Sequence, residues 1–114
     1  MKSLSRKTTL LFVFLLCGPR MRAGSRHVAL AGYIGDSMCG LHHGKSVVSP
    51  AEERECTIQC VADGSRFILA DRANHRVYQL EDQAAPRRFA GKKVRVTGDI
   101  EEDGLRVETM EPVE

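Results

Sequence analysis

Cys56 and Cys60 stand four residues apart in a stretch of helical character, and upstream of them the chain reads Asp36-Ser37-Met38-Cys39-Gly40-Leu41-His42-His43. Four-residue spacing stacks two side chains on one helical face, with Cβ atoms about 5–6 Å apart. A loop carrying Cys39, His42 and His43 back to that face would gather sulfur and imidazole nitrogen in one place. Cys39-x2-His42 has the form of a chelating turn, and Cys56-x3-Cys60 can present both sulfurs to one ion. Together Cys39, His42, Cys56 and Cys60 make a Cys3His set suited to tetrahedral Zn2+ or to thiophilic Cu(I). Asp36 and His43 stand beside it as spare or orienting groups. The spacing is not that of a standard zinc finger.

The same thiols admit a disulfide. A bridge from Cys56 to Cys60 strains the helix, because a disulfide wants Cβ atoms about 3.8 Å apart. A bridge from Cys39 to either is easier and would staple the loop to the helix, typically contributing ~2–4 kcal/mol. It leaves one thiol over. Metal ligation and a disulfide therefore both stand open. Nucleophilic catalysis fits less well. Cys60 lies near a helix C-terminus, where the dipole disfavours a thiolate, Cys56 is mid-helix, and only Cys39 is in a loop. The sequence contains no Gly-rich phosphate cradle, no G-x-S-x-G elbow and no H-E-x-x-H pair. Val61 and not His follows Cys60, which argues against haem c attachment.

The elements that must position these residues can be read from pattern. Ser49 is a good N-cap, Pro50 fits the first helical position and Glu52 completes a capping box. Asp63-Gly64 supplies the stop, so the helix is Pro50–Ala62. On a helical wheel Ala51, Ile58 and Ala62 share one side with Val61 flanking, and Cys56 and Cys60 fall almost opposite, with Glu52, Glu53 and Asp63. The thiols are then expected to face the 36–49 loop or solvent and not a core. Val28–Ile34 reads as a strand weakened by Gly32 and Gly35, and 66–71 and 76–80 as two more, with 72–75 turning between them. Residues 81–90 form a polar connection with Phe89 tucked under the sheet. Lys93–Ile100 and Leu105–Met110 alternate strictly on either side of a Glu101–Gly104 turn. The expectation is a mainly β fold with one helix: a small five-stranded, OB-like barrel, the helix inserted between strands 1 and 2.

The first residues read as an export signal. Lys2, Arg6 and Lys7 precede an apolar run from Leu10 to Cys17, far shorter than the ~20 residues that span a bilayer. Cleavage near Ala23 gives a signal peptide over 1–23 and a single domain over 24–114, periplasmic or extracellular and free of the membrane. Five basic residues and no acids lie in 1–23. Of 17 Lys+Arg and 15 Asp+Glu, the remainder keeps 12 and 15, a formal −3. A mildly acidic domain lacks the electrostatic footprint of a nucleic-acid binder. Its partner is expected to be a protein or a small ligand.

Gly32-Tyr33-Ile34-Gly35-Asp36-Ser37-Met38-Cys39-Gly40-Leu41-His42, then Glu55-Cys56-x3-Cys60-Val61-x2-Gly64, then Phe89-Ala90-Gly91-Lys92-Lys93-Val94-Arg95-Val96-Thr97-Gly98 resemble a family of small exported bacterial domains of unknown function. The resemblance covers nearly all of 24–114 and implies export without implying an activity. The G-K-x-V-x-V-x-G strand and its hairpin also resemble bacterial periplasmic OB-fold proteins, from which this chain departs by placing its main helix after strand 1. The residues point first to a non-enzymatic, exported binding module with a Zn or Cu site. A thiol–disulfide redox protein and a disulfide-stapled protein-interaction domain are the alternatives.

Overall fold

The computed structural model describes residues 25–44, 47, 49–102 and 104–113; the segment read above as a signal peptide, 1–23, lies outside them. Along the chain come β1 (Arg26–Asp36), α1 (Pro50–Ala62), β2 (Phe67–Asp71), β3 (Arg76–Leu80), a 3-10 turn (Ala85–Phe89), β4 (Lys93–Glu101) and β5 (Gly104–Pro112). The strands close into a barrel in the order β1-β2-β3-β5-β4. The helix lies between the first and second strands, as the sequence pattern predicts. All neighbours are antiparallel except β3 and β5, a short parallel seam of Gln79 with Gly104 and Leu80 with Leu105.

β1 extends beyond the expected Val28–Ile34 at both ends because two different strands support it. Arg26 to Tyr33 pair with Ile100 to Lys93 of β4, and Tyr33 to Asp36 with Ala70 to Phe67 of β2. The change of partner falls beside Gly32, where a Cβ would sit 2.7 Å from the Ala70 carbonyl oxygen. A side chain there would push the two strands apart, so glycine is what lets the barrel turn this corner.

Alternation fills the interior. Val94 and Val96 of β4, Leu105 of β5, Leu69 and Phe67 of β2, Leu80 of β3 and Ile34 of β1 are buried in one cluster with Phe89 and Ala90. Each such aliphatic side chain contributes roughly 1.5–3 kcal/mol by leaving water. Ile58 and Val61 of α1 pack against the same cluster, so the helix covers the barrel and holds one flank against it. All five residues of β2 are buried, covered on both faces. Between β3 and β4, Gln83 takes the place of a strand neighbour: its Oε1 accepts from the Phe67 N–H at 2.7 Å, and its Nε2 donates to the carbonyls of Phe67 (3.0 Å) and Leu80 (2.9 Å). Among the described residues no helix is long and apolar enough to cross a membrane.

Candidate metal centre

The site begins where β1 ends. Asp36 is fully buried, and its Oδ1 accepts from the backbone N–H groups of Met38 (3.1 Å) and Cys39 (2.9 Å). The Gly40 N–H returns to the Asp36 carbonyl at 3.0 Å, and Gly40 has φ of +65°. An aspartate at the head of a turn closes it through its own side chain, and this turn points Cys39 back toward α1. Asp36 Oδ2 lies 3.0 Å from His43 Nε2, and that nitrogen is also 3.4 Å from the Thr57 hydroxyl. The His43 side chain is only 5% exposed, and its Nδ1 is buried without a hydrogen-bond partner among the described residues.

The helix supplies the other two thiols. Ser49 caps its start, with Oγ accepting from the Glu52 N–H at 3.2 Å, and Pro50 opens the first turn. At the far end the Ser65 N–H bonds the Cys60 carbonyl at 3.0 Å, with Gly64 at positive φ, so the last turn and Cys60 with it are held. Thr57 is the one fully buried residue of α1; Cys56, Ile58, Cys60 and Val61 are half-buried around it. The aliphatic side drawn on the wheel is therefore corrected: Ala51 and Ala62 are exposed. The buried arc is centred on Thr57, with Ile58 on the flank toward the barrel and Cys56 on the flank toward the loop. Apolar periodicity marks only part of the buried arc: Ile58 and Val61 do pack on the barrel cluster, but the arc also holds a hydroxyl and sulfur, and Thr57 meets His43.

The thiol sulfurs of Cys39, Cys56 and Cys60 lie within 4.8 Å of one another, and so do ligand atoms of Asp36, Cys39 and His43. All three cysteines are free thiols. Cys39 belongs to both groups and joins them. Of the two loop histidines, His42 is exposed and belongs to neither group, whereas His43, the spare, is the one pressed into the site. The pairing of Asp36 with His43 leaves a weak trace in sequence, an acid ending a strand ahead of a histidine-bearing loop.

Burial first, and the Asp36 charge second, explain the state of these thiols. Burial, then the Asp36 carboxylate, then Cys56 raise the Cys39 pKa. Burial, then Asp36 and the neighbouring thiols push Cys60 up to about 12. At neutral pH these two sulfurs hold their protons, so they are poor nucleophiles until a cation displaces the proton.

Arg72, just beyond β2, ties loop to helix. Its Nε donates to the Leu41 carbonyl at 2.9 Å, an NH2 nitrogen donates to Glu53 Oε1 at 2.8 Å, and its guanidinium lies over the Tyr33 ring at 3.9 Å. Leu41 lies between Cys39 and His43, and Glu53 lies one turn before Cys56 and Thr57. One side chain thus spans both halves of the centre.

No curated protein and no solved structure matches the chain. Residues 61–113, which begin just after Cys60 and run through the last four strands, match the model of a family described as protein of unknown function (DUF5818), consistent with a small uncharacterised family.

Proposed function

We propose that this chain is an exported, non-enzymatic binding module that holds a thiophilic cation between the 36–44 loop and α1. The observation that carries the reading is the approach of three sulfurs from two separate elements to within 4.8 Å of one another. Around an ion with metal–sulfur bonds of about 2.3 Å in a tetrahedral shell, sulfurs stand roughly 3.8 Å apart. A contraction of about an ångström or less converts the thiol cluster into a thiolate shell. The fourth position falls to the loop, where His42, His43 and Asp36 are the candidate donors. Reduced protein should bind about one equivalent of Zn2+ or Cu(I) and release protons as the thiols deprotonate. Cys56→Ser should abolish tight uptake, while substituting His75, a β2–β3 turn residue, should leave it intact. Stoichiometric binding that survives Cys56→Ser would sink the reading.

The same approach favours one second reading, thiol–disulfide exchange, because Cys39 needs little movement to bridge to a helical sulfur. Intact mass of native and alkylated protein separates the two, since a redox protein shows one blocked pair and a metal site shows alkylation protected by the ion. Export is tested by N-terminal sequencing of protein recovered outside the cytoplasm, which should begin between about Gly24 and Gly32. An intact Met1 on cytosolic protein would refute it.

A further inference from the structure

We infer that His43 Nδ1 is the fourth ligand of this centre, that the Asp36 carboxylate holds the ring from behind, and that the ion is a divalent cation of the zinc class in a closed, structural site. The inference rests on the cation reading of the three thiols and adds to it a ligand, an orienting group and a charge.

The ring's hydrogen bonds fix its chemistry. A carboxylate only accepts, so His43 Nε2, 3.0 Å from Asp36 Oδ2, carries a proton and donates it. In the neutral ring Nδ1 is then a bare lone pair. That atom is buried with no partner among the described residues, in a side chain only 5% exposed. A buried acceptor left without a donor is costly, and native structures tolerate few of them. A cation removes the deficit. Histidines that ligate metals characteristically donate the other ring N–H to a carboxylate, which sets the tautomer and raises the basicity of the ligating nitrogen. His43 and Asp36 already stand in that relation, and Asp36 is itself fixed by two backbone N–H groups.

The ring stands beside the thiols: one of its nitrogens lies within 4.8 Å of the Cys39 sulfur and of an Asp36 oxygen, and that Nδ1 turns onto the ion is the inferred part. The ring is grouped with Cys39 alone among the thiols, so loading draws the loop and the helix together around the ion. Charge then selects the ion class. Three thiolates beside a buried Asp36 carboxylate concentrate negative charge, and a dication offsets one unit more of it than Cu(I) does. Four protein donors leave no open position for water, which is the mark of a structural and not a catalytic zinc site.

The test uses the reduced full-length chain with Co2+ and Zn2+ as probes. Wild-type protein should develop thiolate-to-cobalt charge transfer and the intense visible bands of tetrahedral Co2+, both displaced by Zn2+. His43→Ala should keep charge transfer but weaken Co2+ affinity by about 100-fold, and Asp36→Asn by about 10-fold. His75→Ala, in the β2–β3 turn, should leave affinity and spectrum unchanged. If the wild type shows no charge transfer, the cation reading falls and this inference with it. Charge transfer in the wild type, with affinity and spectrum unchanged in His43→Ala, overturns the fourth-ligand assignment alone. Should His43→Ala fail to fold, 15N spectra of histidine-labelled wild type decide. One equivalent of Zn2+ should shift His43 Nδ1 while Nε2 keeps its proton, and an Nδ1 resonance that does not move overturns the inference.

Discussion

Asp36 meets three demands with one carboxylate. It closes the turn that carries Cys39, holds the His43 ring, and sets the negative field in which the thiols sit. That field adds to burial at Cys60, whose pKa is pushed up from 9.0 to about 12, by burial first and by Asp36 second. A group whose folded pKa lies above its unfolded value contributes stability that is fully present below the unfolded pKa and is lost as pH rises through the folded one. Metal-free, reduced protein should therefore lose stability steadily from pH 9 toward 12. Cys60→Ser should flatten that decline, although Cys39, also raised, leaves part of it. Urea midpoints of both proteins at stepped pH give the comparison, and parallel curves would contradict it. With an ion bound, rising pH below 9 instead favours the complex, because uptake releases the thiol protons.

Among the elements, α1 and the loop are positioned from outside by Arg72, whose guanidinium bonds the Leu41 carbonyl and the Glu53 carboxylate while stacked on Tyr33. Hydrogen bonds to charged groups contribute about 1.5–3 kcal/mol. Arg72→Ala should lower stability by an amount of that order and weaken cation uptake, although it touches no ligand. Lysine keeps the charge but not the planar fork that reaches both partners, so Arg72→Lys should rescue little. Calorimetry and metal titration of the two variants read these effects, and unchanged uptake in Arg72→Ala would show that the halves of the centre assemble unaided. The ends of α1 are legible in the sequence because Ser49, Pro50 and Gly64 are local signals, and β4 and β5 because alternation is local too. The outer reach of β1 to Asp36 is not, since it depends on a second partner far along the chain. Gln83 standing in for a strand, Arg72 bridging loop and helix, and His43 turned inward onto Asp36 all require knowing which distant segments meet. Part of the inward face of α1 escapes for a different reason: an apolar wheel marks Ile58 and Val61, which pack on the barrel, but not the stretch made of Cys56, Thr57 and Cys60.

Across the whole molecule, the barrel is completed where β5 meets β3. Leu105 is fully buried in the central cluster, and its neighbour across the parallel seam is Leu80. Removing a buried leucine side chain to alanine costs about 2–5 kcal/mol, more where the cavity cannot collapse. Leu105→Ala should fall in the upper part of that range, because a closed barrel gives its walls little room to relax. Denaturant unfolding measures it, and a loss under ~1 kcal/mol would show that the seam is not structurally important. The seam itself, two residue pairs and a Glu81 N–H bonded to the Leu105 carbonyl at 3.2 Å, is the thinnest part of the wall. Its amides should exchange with solvent ahead of those in β2.

The pairing of β1 with β4 joins Arg26 to Ile100 across most of the chain, whereas Asp36, Cys39, His43, Cys56 and Cys60 lie close together in sequence. Closing the long loop is slow because its entropy is lost before many contacts form, and closing the short one is fast. An ion that gathers the short segment early would pin the end of β1 and the helix before the distant strands arrive. The kinetic signature would be a faster folding limb with an almost unchanged unfolding limb when refolding is followed by stopped flow with and without Zn2+. On that account an ion at the cluster would act as a timer as much as a clasp, setting the order in which the barrel closes.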